Sequence, residues 1–212
     1  MFSGSSQALY AAPSRAYEFD GTVPATVFLA KLDPALSQVI YSTYLWTGSV
    51  SSIAVDGQGN VVLTGTNAAG GIVMKVSAND SSLLYSTVLN GTEPNAIAIE
   101  PGGNAVIAGY ATSLTATKGV YQSAPPGACT RNPNAGLSLP YNAFAAKLNA
   151  SGALVYATYI TGSCGSAAYG LALDSAGDAY LAGETYSPDF PITQDAMTGK
   201  FPGVHPADSW PS

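Results

Sequence analysis

AVDGQGNVVLTG occupies residues 54–65. Nearly the same phrase returns as AIEPGGNAVIAG at 98–109 and as ALDSAGDAYLAG at 172–183. Each copy opens on a small and an aliphatic residue. An acid follows (Asp56, Glu100, Asp174), then a glycine before Asn or Asp (Gly59-Asn60, Gly103-Asn104, Gly177-Asp178). An apolar run closes on Gly65, Gly109 or Gly183. Recurrence at a fixed period marks a repeat architecture, and Gly65 to Gly109 spans 44 residues.

The phrase is half of a longer unit. The other half reads TVFLAKLDPALSQVIYSTYL at 26–45, GIVMKVSANDSSLLYSTVL at 71–89 and NAFAAKLNASGALVYATYI at 142–160. Lys31 and Lys75 are also 44 residues apart, whereas Lys75 and Lys147 are separated by 72, because residues 111–141 are inserted. That insertion is rich in Pro, Gly, Ser and Asn and reads as a loop. Each unit holds four short β-branched and aromatic runs, at 51–56, 61–66, 71–77 and 83–89 in the first complete unit. They are too short for helices and are flanked by turn residues. Asp56 to Asn60 is a tight hairpin connection, with Gly59, Gly103 and Gly177 expected at φ > 0 and the preceding acid accepting N–H bonds from the turn.

Four-strand units at this period predict an all-β fold of β-propeller blades, each of four antiparallel strands, about three blades' worth in all. The units resemble the bacterial beta-propeller repeat of the SBBP type. The resemblance lies in Asp174 through Gly183, DFPIT at 189–193, AFAAKLN at 143–149 and VIYSTYL at 39–45, and spans about residues 26–193. The middle unit departs from the pattern, with Glu100-Pro101 in place of Asp-Ser and Val88 where Tyr is usual. The resemblance implies a propeller of a secreted or surface protein in bacteria and no particular activity. The organisation read from the sequence is an N-terminal arm (1–25), blades over 26–193 with units near 26–66, 71–110 and 142–184, and a C-terminal arm (194–212).

Charged residues make up 9% of the 212, against roughly 25% in an ordinary soluble domain. The net charge of -6 argues against a nucleic-acid partner. No apolar run approaches the roughly 18 residues of a membrane span. The first twenty residues have neither the charged region nor the apolar core of a signal peptide.

The candidate sites each have a structural reading. DGQGN at 56–60 lacks the alternating ligands and distal Glu of a calcium loop and reads as a turn. His205 is the sole histidine, too little for a zinc site or a triad. No metal or organic cofactor is expected. Glu184 and Asp189 are the carboxylates a glycosidase would need, or they are loop acids. Lys31, Lys75 and Lys147 are expected to lay their stems over apolar neighbours and expose the ammonium group. Tyr41, Tyr85 and Tyr156 read as packing between units. Asn79, Asn90 and Asn149 match the glycosylation acceptor pattern but fall at turns.

The favoured function is a non-enzymatic extracellular scaffold for binding or assembly, with no catalytic residue named. One alternative is a carbohydrate-active or other hydrolytic propeller using Glu184 and Asp189. Another is a self-assembling fibre or surface-layer subunit. Topology places Cys129, in the insertion, and Cys164, in the connection leaving the same unit, on one face, predicting a Cys129–Cys164 disulfide. The chain shows the outer strands of one unit at 26–45 and the inner strands of another at 169–184. Edge pairing with another copy, or with the remainder of a longer propeller, is therefore expected, residues 178–184 taking 26–33 of another polypeptide as partner. A protein or glycan ligand is the remaining candidate partner.

Overall fold

The computed structural model describes residues 26–79, 81–127 and 141–199. The fold is all-β and every strand pairing is antiparallel. Strands β1 (Thr26–Leu32) and β2 (Val39–Thr47) form a two-stranded ribbon. Strands β3 (Ser49–Val55), β4 (Val61–Asn67), β5 (Gly70–Val76) and β6 (Leu83–Leu89) form a four-stranded meander. A second meander follows with β7 (Thr92–Ile99), β8 (Ala105–Ala111), β9 (Asn142–Leu148) and β10 (Leu154–Tyr159). Strands β11 (Ser166–Leu173) and β12 (Ala179–Thr185) form a last ribbon.

The repeated phrase builds the first hairpin of three of the four sheets, β3–β4, β7–β8 and β11–β12. Asp56 N–H donates to Asn60 O and Gly59 N–H to Asp56 O, both at 2.9 Å, and the same pair of bonds recurs at Glu100–Asn104 and Asp174–Asp178. Gly59, Gly103 and Gly177 have φ of +82°, +82° and +89°, which only glycine adopts without a steric penalty. The glycine that closes the phrase has a different reason. A register shift at Val50/Ser52, Pro94/Ala96 and Ala168/Gly170 bends the first strand of each of these three sheets. The bend carries a backbone carbonyl onto the second strand, so a Cβ at Gly65, Gly109 or Gly183 would overlap the oxygen of Ser49, Glu93 or Ala167.

Period-two alternation divides the core between the sheets. Val61, Leu63, Ile72, Met74 and Val76 turn to one side, against Val27, Leu29 and Trp46 of the β1–β2 ribbon. Val62 and Val73 turn to the other, against Ile97, Ile107, Phe144 and Leu148 of the next sheet. A third, smaller cluster joins Ala108 and Ala143 to Ala168, Leu171 and Leu181. Strands β4, β5, β8 and β9 are therefore apolar on both faces because each lies between two sheets. Truncating the fully buried Phe144 to Ala would cost about 3–5 kcal/mol.

The first strands, β3, β7 and β11, run closest from sheet to sheet. Their bulge residues make the crossing bonds: Ser51 Oγ donates to Pro94 O and Asn95 Nδ2 donates to Ala168 O at 2.9 Å. The described part of the insertion lies along the outer edge of β10. Thr117 N–H reaches Ala157 O and Tyr159 N–H reaches Gln122 O, both at 3.0 Å. This stretch covers an otherwise open sheet edge.

Candidate functional site

The recurring acid and lysine meet within each of the two four-stranded sheets. Lys75 Nζ lies 2.8 Å from Asp56 Oδ2, with side-chain exposures of 6% and 2%. Lys147 pairs in the same way with Glu100. The expectation of exposed ammonium groups is corrected for these two. The β7–β8 turn of the next sheet approaches Lys75, a Cβ at Gly103 falling 3.8 Å from its Nζ, and the ammonium group faces the turn acid instead of solvent. Asp56 also accepts the N–H groups of Gln58 and Asn60, each at 2.9 Å, and the Asn60 amide at 3.0 Å. Burial works to raise the Asp56 pKa, but Lys75, the Asn60 side chain and the turn N–H groups outweigh it and hold the carboxyl at about 2. Its oxygens are filled by the chain's own donors, as befits a turn. Among the described residues no group of three His, Cys, Asp or Glu side chains converges.

The third unit is different. Asp174 accepts the N–H groups of Ala176 and Asp178, each at 2.9 Å, and the Tyr180 hydroxyl at 3.3 Å, with no lysine beside it among the described residues. Lys31 donates to Ala78 O at 3.2 Å and lies 6.0 Å from the Tyr41 ring centre. It has no carboxylate among the described residues.

Each repeated tyrosine lies opposite its lysine in the sheet, Tyr41 opposite Lys31, Tyr85 opposite Lys75 and Tyr156 opposite Lys147, and Tyr85 and Tyr41 pack into the clusters between sheets. The Tyr85 ring lies against Gly152 in the β9–β10 turn, so closely that a Cβ there would overlap it. Burial, then the nearby Asp56 charge, pushes the Tyr85 hydroxyl up to about 12.

Glu184 and Asp189 have separate partners. Asp189 Oδ1 accepts the Ser163 N–H and hydroxyl, both at 2.9 Å, and the Ser163 N–H holds its carboxyl below the usual range. Glu184 accepts the Tyr169 hydroxyl at 2.9 Å. A matching pair joins Tyr110 to Glu93, and Glu93 pushes the Tyr110 hydroxyl up to about 12. The Tyr110 and Tyr141 rings meet at a tilt of 46°, with centres 4.8 Å apart. Glu93 and Tyr110 line an open cleft of about 300 Å³ with Thr66, Asn67 and Thr112. The sequence reading missed this pairing, which depends on strand register.

Asn149 Oδ1 accepts from Ser151 N–H, Ser151 hydroxyl and Ala153 N–H, the work of a turn residue. Cys164 is buried in the β10–β11 connection. Cys129 and His205 lie outside the described residues, so the Cys129–Cys164 pairing does too. Among the described residues no helix is long and apolar enough to cross a membrane.

Among the described residues β12 pairs with β11 alone and β1 with β2 alone, with no strand pairing between β12 and β1. Beside β12 lies a groove of about 460 Å³, lined by Ala143, Ile160, Leu181, Gly183 and Phe190 among others. Comparison with models of known protein families and with curated proteins finds no match to this chain.

Proposed function

We propose that this chain is a segment of a non-enzymatic extracellular β-propeller, of the SBBP-repeat type its units resemble, and serves as a binding or assembly scaffold. Each four-stranded sheet is a blade in this reading, and β3, β7 and β11 line the axis. The observation that carries it is the pair of crossing bonds from Ser51 to Pro94 O and from Asn95 to Ala168 O. The same bulge position makes the same bond to the next inner strand at each step, as radial repetition requires. The recurring acids, lysines and tyrosines are all engaged in holding turns and sheets. Ligand binding, to a protein or a glycan, falls to the loop faces, where the Glu93–Tyr110 cleft offers hydroxyls, a carboxylate and one aromatic ring.

The test is a screen of the full chain against glycosidic, ester and peptide substrates, beside Glu184→Gln and Asp189→Asn. No turnover attributable to either acid is the expected result. Turnover lost in either variant overturns the scaffold reading in favour of a hydrolase.

A further inference from the structure

We infer that β12 of one copy of this chain pairs with β1 of a second copy, completing one four-stranded sheet from two ribbons and closing an ion pair between Asp174 and Lys31. This rests on the scaffold reading and names the partner.

Burial gives the first support. Position by position, β12 matches β4 and β8, and β1 matches β5 and β9. Val62 and Val106 are 0% and 1% exposed, but Tyr180 at the same position is 62% exposed. Ile72 and Phe144 are 4% and 0% exposed, but Phe28 is 68% exposed. The two ribbons have the sequence of buried strands and the exposure of edges. Each lacks what the other supplies: β12 needs a third strand and β1 needs a second.

Charge gives the second. Asp56 has Lys75 and Glu100 has Lys147, whereas among the described residues Asp174 and Lys31 each lack the charged partner their position calls for. In the complete sheets the lysine lies opposite the residue that follows the first of strand two, Val62 for Lys75 and Val106 for Lys147. Carried over to the junction, that register sets Lys31 opposite Tyr180, whose hydroxyl touches Asp174.

Shape gives the third, and it is independent of charge. Ile72 lies opposite Gly65 and Phe144 opposite Gly109. The same register puts Phe28 opposite Gly183, at the groove lined by Ala143, Ile160, Leu181 and Phe190. An exposed aromatic side chain thus arrives where an apolar groove lacks one. The contact is head to tail, because each copy offers β12 to one neighbour and β1 to another, and two copies closing on each other form a ring of six sheets.

The test uses the full 212-residue chain at micromolar concentration. Light scattering is expected to give a multiple of the 21.4 kDa chain mass. Asp174→Lys and Lys31→Asp should each weaken self-association roughly thirty-fold or more, and the double variant should recover it. Carbodiimide treatment of a mixture of ¹⁴N- and ¹⁵N-labelled wild-type chains should yield a mixed-isotope Asp174–Lys31 amide, a readout that needs no variant to fold. A monomeric wild type, or self-association indifferent to both charge reversals, overturns the inference. A monomer that also shows no turnover leaves the scaffold reading standing, so the two readings fail separately.

Discussion

The Lys75 ammonium sits 2.8 Å from the Asp56 carboxylate, and almost none of either side chain reaches solvent. The pair crosses the sheet, from the turn after β3 to the C-terminal end of β5. It therefore ties the repeated phrase to the repeated lysine within one folded unit. Asp56→Ala leaves a buried ammonium group unpaired and should cost about 3–5 kcal/mol. Lys75→Met is the milder change, because Asn60 and the turn N–H groups still serve Asp56. Urea denaturation of the two variants checks the order.

The same pair sets an acid limit on stability. The Asp56 carboxyl is held at about 2, below its ordinary 3.8. A depressed folded pKa means that the unfolded chain takes up the proton first as pH falls. The contribution is complete above the unfolded value and is lost between about pH 4 and pH 2. Glu100, lowered chiefly by Lys147, acts in the same direction. The urea midpoint should fall through this window in wild type and fall less steeply in Asp56→Asn.

Tyr85 offers a substitution that should do no harm. Its hydroxyl is buried and has no hydrogen-bond partner among the described residues. Tyr85→Phe removes the unsatisfied group and keeps the ring, so stability should hold or rise by up to about 1–2 kcal/mol. Tyr85→Ala removes the ring from Gly152 and should cost about 3–5 kcal/mol. Loss of stability in the Phe variant would contradict this account of the hydroxyl.

Gly109→Ala should destabilise by about 2–3 kcal/mol, because the new methyl group meets the Glu93 carbonyl oxygen and neighbouring Pro94 backbone. Gly102→Ala, in the adjacent turn, has nothing within 4 Å of the added methyl group and serves as the control. Thermal midpoints of the two variants, measured side by side, should separate clearly.

The proposed Cys129–Cys164 disulfide predicts that the native, unreduced protein shows no titratable thiol. Gln122, upstream of Cys129 in the insertion, exchanges hydrogen bonds with the backbone of Thr161, just before Cys164. The insertion is thereby anchored near the second cysteine. Closing the loop should contribute roughly 3–4 kcal/mol, lost on reduction. Two reactive thiols in the native state would exclude the bond.

Much of this architecture could be read from the sequence. Short apolar runs of period two, punctuated by Asp-x-x-Gly-Asn turns, leave the backbone few alternatives, because local sterics and hydrogen bonds decide them. The strands read at 51–56, 61–66, 71–77 and 83–89 appear as β3 to β6 with ends displaced by two residues or fewer. The left-handed turn glycines followed from the same local chemistry. The closing glycines recurred visibly, but their cause did not, since it is the carbonyl of a bulged neighbouring strand.

Register and stacking lay beyond the sequence. A lysine on an apolar strand reads as a snorkelling side chain until the sheet places an acid beside it, and Lys75 meets Asp56 only because β3, β4 and β5 align in one register. Tyr110 and Glu93, on opposite strands of one hairpin, face each other for the same reason. Phe28 and Ile72 occupy the same place in the repeat, so the sequence assigns them one environment. Their exposures of 68% and 4% differ because one strand has a sheet on each side and the other has an open edge. Local order in this protein comes from short-range backbone preferences written in each repeat. Burial and charge pairing come from contacts between residues far apart in the chain, which exist only once the sheets have stacked.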